Sequence, residues 1–291
     1  MWKLVLRASL LAALPGMGLA ATPSATATIV EGDAVLVRDA STFALAEGVR
    51  LRKDDIVHTD PKARFLRLEF ADGSTVDIAP GSRVMLAPKV GKSTPPLYLL
   101  EGTVKLTMPA TPSTGTVLLS PGLELTDVAK GVVVSVSPTQ AAVFAESGAA
   151  TLVERSDGKA VATQPVRAGQ FYQRTGDAKA QISSRPTGAF IQGLPKAFLD
   201  TLPRRSELFK ARDVAPRLSG EPAYAQVQPW IDAEAALRPV FVTRWRSLAK
   251  APEFRAGLVA GLPAHPEWDR TLFPEKYRPK PRVGDTAAPA P

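Results

Sequence analysis

The stretch Phe65-Leu66-Arg67-Leu68-Glu69-Phe70-Ala71-Asp72-Gly73-Ser74-Thr75-Val76-Asp77-Ile78 decides the fold class. Leu66, Leu68 and Phe70 alternate onto one face of an extended run, and Val76 and Ile78 onto one face of a second. A two-residue Asp72-Gly73 loop would set Phe70 against Thr75 and Leu68 against Asp77, mixing apolar with polar faces. A three-residue loop, Ala71-Asp72-Gly73, instead pairs Leu68 with Val76 and Leu66 with Ile78. Its third residue falls in the left-handed region that glycine favours. The sequence therefore predicts an antiparallel hairpin of fixed register.

Working outward, short β-runs follow one another from Thr28 to about Arg174. Before the hairpin come Ile29-Val30, Ala34–Arg38, Val49–Leu51 and Asp55–Thr59. After it come Tyr98–Met108, Val117–Leu119, Gly131–Ser137, Ala141–Ala145 and Ala150–Glu154, all divided by Gly, Asp, Ser and Pro. Over 98–108 the alternation predicts Tyr98, Leu100, Val104, Leu106 and Met108 on one face, and Glu101, Thr103, Lys105 and Thr107 on the other. A weak echo, Glu31-Gly32, Glu47-Gly48, Glu101-Gly102 and Ala168-Gly169, places glycines beside β-runs, where turns or bulges are expected. Its spacing is irregular, which suits a sandwich or an irregular solenoid.

Composition changes after residue 174. Residues 175–190 are polar and carry Gly176, Ser183, Ser184, Pro186 and Gly188, the pattern of a linker. From 191 to 276 the apolar spacing turns helical, first at Phe198, Leu199 and Leu202, then at Leu237, Phe241, Trp245 and Leu248, and at Phe254 and Leu258. Pro203, Pro216, Pro222, Pro229, Pro239 and Pro252 keep these helices short. Trp230, Trp245 and Trp268 are expected to fill a small core or to dock the helices on the β-region. Residues 277–291, rich in Pro and Ala, are expected to be disordered.

The chain has 291 residues, 45% apolar and 22% charged, with no cysteine and two histidines, His58 and His265. Disulfides, thiolate metal sites and a cysteine nucleophile are therefore excluded, and a multi-histidine metal site cannot be assembled within one chain. The first twenty residues read as a secretory signal. Lys3 and Arg7 precede an apolar run from Ala8 to Leu14, Pro15-Gly16 breaks it, and Gly18-Leu19-Ala20 offers small residues to a peptidase. The run is shorter than the roughly 20 apolar residues of a spanning helix. Export to a periplasm follows as the expectation, with no stable membrane span after cleavage. The net charge of +8 falls to +6 once Lys3 and Arg7 are lost. No arginine-aromatic interleaving accompanies it, so nucleic acid is not the expected partner.

The segments Ala46-Glu47-Gly48 and Asp54-Asp55-Ile56-Val57-His58-Thr59 resemble the "G-x-x-L-x-x-G-D-x-I-x-T" opening of the FecR domain. Arg64–Leu68, Ala71-Asp72-Gly73-Ser74 and Ile78–Val84 resemble that family's central D-G-S element. Leu100-Glu101-Gly102-Thr103-Val104 and Val166-Arg167-Ala168-Gly169-Gln170 resemble its later glycine motifs. The resemblance spans residues 28–174. It implies an all-β, solenoid- or sandwich-like domain without enzymatic activity, used for contact with other envelope proteins. Well-known members are regulators that cross the inner membrane and control a sigma factor. This chain departs from them in showing neither a cytoplasmic segment nor a membrane span, so the expected role is contact rather than transmembrane signalling.

The remaining candidates for chemistry are sparse. Asp54-Asp55, Asp72 and Asp77 read as turn or structural carboxylates, and His58 as a hydrogen-bonded, half-buried residue on a strand. His265-Pro266-Glu267-Trp268 joins a base, a carboxylate and an aromatic, but lacks a third partner for hydrolysis or zinc. No Gly-x-Ser-x-Gly elbow or phosphate-cradling glycine loop occurs. No catalytic, cofactor-binding or metal residues are expected. The expected function is non-catalytic binding of another envelope protein in sensing, signalling or assembly. The alternative is binding of cell-wall glycan or acidic polymer through the positive charge and aromatics such as Tyr98 or Trp268.

Overall fold

The computed structural model describes residues 25–109 and 114–278. The signal segment expected at 1–20 lies outside them. Among the described residues no helix is long and apolar enough to cross a membrane.

The deciding hairpin forms with the expected register. Phe65–Phe70 pairs antiparallel with Thr75–Ile78, Leu66 opposite Ile78 and Leu68 opposite Val76. The Phe70 N–H donates to Ser74 O at 2.9 Å and the Gly73 N–H to Phe70 O at 3.1 Å, closing the three-residue loop. Asp72 accepts from the Ser74 N–H and hydroxyl at 2.8 and 2.6 Å, and Gly73 sits at φ 94°. A Gly73→Val substitution puts a β-branched residue in the left-handed region, so we expect a loss of about 1–3 kcal/mol. Thermal unfolding within about 1 °C of the parent would contradict this turn.

The strands form two layers over one apolar core. The first layer runs Arg50–Leu51, Ala25–Glu31, Phe65–Phe70, Thr75–Ile78, the second half of Leu97–Thr107, Gly131–Val136, Gln140–Ser147, Phe171–Thr175 and Gln181–Ser183. The second layer runs Arg217–Gly220, Ser41–Ala44, Ala34–Arg38, Ile56–Thr59, Arg83–Leu86, the first half of Leu97–Thr107, Thr116–Leu119, Leu123–Thr126, Ala150–Ser156 and Lys159–Val166. All these pairings are antiparallel except that of Leu97–Thr107 with Thr116–Leu119. Leu66, Leu68, Val76 and Ile78 of the first layer meet Leu36, Val57, Val84 and Leu152 of the second in the shared core. The fold is mainly β, a curled antiparallel sheet folded into a sandwich and followed by small helices.

Leu97–Thr107 belongs to both layers, and its passage between them corrects the expected facing of its side chains. Arg83 pairs with Glu101 but Val84 pairs with Leu99, so the ladder gains a residue. Gly102 follows at φ 104°, and a Cβ there would lie 2.5 Å from the Ser82 backbone. A bulge of this kind inverts the alternation beyond it. Leu97, Leu99, Val104 and Leu106 therefore share the central core, while Tyr98 and Leu100 face the helices on the other side of the second sheet. The echo glycines Gly32, Gly48 and Gly169 likewise have positive φ.

The carboxy-terminal third wraps the sandwich. Residues 175–190, expected as a linker, include the strand Gln181–Ser183, which extends the first sheet through backbone bonds to Phe171–Thr175. Helix Gly188–Gln192 follows, capped by the Thr187 hydroxyl. The helix expected around Phe198 is only the 3-10 turn Lys196–Phe198, with Leu199 exposed and Phe198 buried on Phe65. This segment covers the outer face of the first sheet, packing Phe190, Leu194, Phe198 and Leu202 on Ile29, Phe65, Val133 and Phe144. Strong polar bonds fasten it. Arg67, paired with Asp77 at 2.6 and 2.7 Å across the hairpin, donates to Leu202 O at 3.1 Å. Lys105 donates to Phe198 O at 2.5 Å. Buried Glu69 accepts from the Arg205 and Ser206 N–H groups at 2.7 and 3.1 Å and from the Thr28 hydroxyl at 2.9 Å. Burial works to raise the Glu69 pKa, but these bonds together hold it below the usual range.

Beyond this strap the region expected to be wholly helical contributes the strand Arg217–Gly220 to the edge of the second sheet. A helical cap then forms from Tyr224–Ile231, Arg238–Arg244, Pro252–Ala260 and Asp269–Leu272. The helices are short, as the prolines required; Pro252 opens one of them, whereas Pro229 lies within Tyr224–Ile231. Tyr277, expected to begin a disordered tail, closes the turn Pro274–Tyr277 and donates to Asp269 at 2.6 Å. Residues 279–291 of that tail lie outside the described residues.

Candidate functional site

The cap seats on the second sheet through aromatic side chains, as the tryptophan positions suggested. Trp230, Trp245 and Trp268 are fully buried, in one cluster with Phe241, Leu237, Leu248 and the sheet residues Val37, Ile56, Met85 and Tyr98. Among the polar contacts that aim the cap, three involve ionisable side chains. Arg244 donates to the carbonyls of Val37, Asp39 and Asp54 at 2.7, 2.9 and 2.5 Å. Burial lowers its pKa to about 10, which leaves it charged at neutral pH. Tyr98 donates to Glu234 at 2.8 Å, and Arg155 donates to both oxygens of that carboxylate at 3.1 and 2.8 Å. Burial and the Glu234 charge push the Tyr98 phenol well above its ordinary pKa.

The third contact involves His58, expected as a half-buried, hydrogen-bonded strand residue and found as one. The Trp230 indole N–H donates to His58 Nε2 at 2.7 Å, so the imidazole must accept there. Burial, with Arg83 and Arg244 nearby, lowers its pKa to about 3. This folded value lies below that of a free imidazole, about 6.5, so the unfolded chain takes up the proton first. Stability from this bond is complete above about pH 6.5 and is lost as pH falls towards about 3, by at most about 1.4 kcal/mol per pH unit. We expect His58→Gln, whose amide oxygen can still accept, to flatten that part of the acid dependence in urea titrations. A variant with the parent's slope would contradict this assignment.

The His265-Pro266-Glu267-Trp268 group is pulled apart by its own bonds. The His265 ring is fully buried, with Nδ1 at 2.6 Å from Asp232 and Nε2 at 3.0 Å from Leu258 O. Glu267 instead accepts from Arg238 at 3.0 Å, and Trp268 packs into the cap core. The other carboxylates serve as braces. Asp55 holds Arg38 at 2.9 and 2.5 Å and Asp77 holds Arg67, whereas Asp54 receives Arg244 on its backbone carbonyl and not on its carboxylate. Tyr98 and Trp268, offered above as exposed aromatics for a glycan, are both fully buried. The bulge that turns Tyr98 towards the cap accounts for the first, and the cap's need for a large core residue for the second. Among the described residues no group of three or more histidines and carboxylates is placed to hold a metal ion.

Two of the open concave surfaces among the described residues involve the cap, and sequence reasoning found neither. One, of about 570 Å3, lies at the seam between sandwich and cap, lined by Glu101, Asp157, Asp177, Asp232 and Glu234 with Arg174. The other, of about 590 Å3, lies within the cap and carries Arg246, Lys250, Arg255 and Arg270. The first joins loops far apart in the chain and the second joins helix ends and turns between Val242 and Pro274, so no local motif announces them.

No protein-family profile matches the chain, and no curated protein matches it. Among solved structures, two crystal structures of a candidate anti-sigma factor from Parabacteroides distasonis ATCC 8503, at 1.65 and 2.50 Å resolution, overlap it with a TM-score of 0.38 and 11% identity. The overlap covers 47% of this chain and 65% and 64% of theirs, less than two thirds of either.

Proposed function

We propose that this chain is a non-catalytic, exported envelope protein that acts by contact with another protein, through a sandwich of FecR type. The observation that carries this reading is how the chemically capable side chains are employed. His58 receives Trp230, His265 is held between Asp232 and Leu258 O, and Glu267 is engaged by Arg238. Each joins one structural element to another. What stays accessible is charged, concave surface on a braced scaffold, which suits recognition. The motifs around Asp72-Gly73-Ser74 and Glu101-Gly102 support the family resemblance, and the opening twenty residues support export.

Proximity labelling with the full chain in the intact envelope tests the reading. It is expected to mark a reproducible set of envelope proteins, with a mature amino terminus at Ala21 or Thr22. Labelling no richer than that of an unrelated exported control would overturn it.

A further inference from the structure

We propose that the groove within the cap receives an acidic segment of the partner protein, with carboxylates flanking an apolar side chain. This assignment deepens the contact reading above and rests on it. The groove lies between the turn that follows Arg238–Arg244 and the segment Asp269–Pro274. Val242, Ala249 and Pro274 form its apolar part, and Arg246, Lys250, Arg255 and Arg270 stand around it.

Its charge is locally uncompensated: four cations line it with one acid. Several cations of the sandwich are matched by a carboxylate, as in Arg38–Asp55, Arg67–Asp77, Arg155–Glu234 and Arg174–Glu154. At the groove, Arg246, Lys250 and Arg270 have no carboxylate partner among the described residues, and the one acid lining it, Glu267, is paired with Arg238 at 2.9 Å. Arg255 is held in place by donation to Leu272 O at 2.6 Å and by lying over the Phe273 ring at 5.7 Å. An anion entering here meets an oriented guanidinium and three cations without a carboxylate partner, against one acid, Glu267, whose Oε1 is already held by Arg238.

Shape selects the occupant. Ala249 is only 5% exposed and Val242 is half-buried, so the apolar part is recessed. A flat bilayer would reach the cationic rim but not the floor. A second copy offers its acidic seam, yet that surface is itself a concavity and cannot enter another. A protruding peptide segment satisfies both charge and shape, and about 590 Å3 lies within the ordinary range of ligand clefts.

The test uses the full mature chain and a fluorescein-labelled peptide of alternating glutamate and leucine, followed by anisotropy. Arg246→Glu with Lys250→Glu reverses two exposed side chains that make no internal bonds, so an unchanged Tm is expected. Lys159→Glu, on the edge strand Lys159–Val166, serves as the control. Expected are binding that weakens with salt, a loss of about tenfold or more in the double variant, and none in the control. Equal affinity of parent and double variant, or equal binding of a lysine-leucine peptide, overturns the assignment. So does a double variant that loses binding to phosphatidylglycerol vesicles or self-association while peptide binding is absent. If labelling in the envelope recovers a partner that the double variant retains, the groove assignment falls and the contact reading stands. If labelling recovers none, the contact reading falls.

Discussion

A chain ending at residue 186 will not accumulate as a soluble monomer. That cut keeps every strand of the sandwich except Arg217–Gly220, and it spans all of the region that resembles a complete domain. It strips both outer faces at once. On the first sheet Ile29, Phe65 and Val133 lose Phe190, Phe198 and Leu202. On the second, Val37, Ile56, Met85 and Tyr98 lose the tryptophan-rich cap. Each large apolar side chain returned to water costs about 1.5–3 kcal/mol, so the total exceeds the roughly 5–15 kcal/mol by which domains are stable. Arg67, Lys105 and Arg155 would lose bonds to the strap and cap as well. Expression of the cut chain should give aggregate, or a species that binds a hydrophobic dye strongly. A monodisperse, cooperatively unfolding product of residues 25–186 would refute the view that strap and cap are integral to the sandwich.

The second large effect is expected from Glu234→Ala. This single carboxylate takes Tyr98 from the strand shared by both sheets and Arg155 from Ala150–Ser156, and it belongs to the cap. The pair is well buried, Arg155 at 7% and Glu234 at 10% exposure, and Arg155 also donates to Ser120 O. Removing the carboxylate leaves a largely buried guanidinium and phenol without their shared acceptor, at a cost of about 3–5 kcal/mol. Replacing both charges, Arg155→Met with Glu234→Leu, should cost much less, because no unpaired ion remains. Urea unfolding of parent, single and double variants measures both. A loss below about 1 kcal/mol in the single variant would show that the seam is wet and the pair dispensable.

Much of the sandwich was legible because its determinants are local. The hairpin register followed from the clash of faces that a shorter loop would cause, and the Glu-Gly echo marked real left-handed glycines. Leu237, Phe241, Trp245 and Leu248 announced the cap through helical spacing, and all four are buried. What escaped was non-local or carried by backbone alone. The strand Gln181–Ser183 has exposed side chains and pairs through main-chain bonds, so its polar sequence read as a linker. Lys196–Phe198 anchors by one aromatic rather than a helical face. Tyr98 was assigned the wrong face because alternation assumes an unbroken ladder, and one inserted residue, Leu100, inverts it. The two open surfaces combine residues more than a hundred positions apart in one case, and helix ends in the other. Periodicity has no access to either.

The strand Leu97–Thr107, as a member of both sheets, has a mechanical consequence. Packed layers ordinarily adjust to a visitor by small sliding displacements. Here such sliding would have to rework the backbone dihedrals at the bulge before Gly102, because one strand runs through both layers, so the layers are spliced rather than merely stacked. A load taken up by the cap through Tyr98 is therefore delivered to both layers by a single chain segment, whose turning point is Gly102.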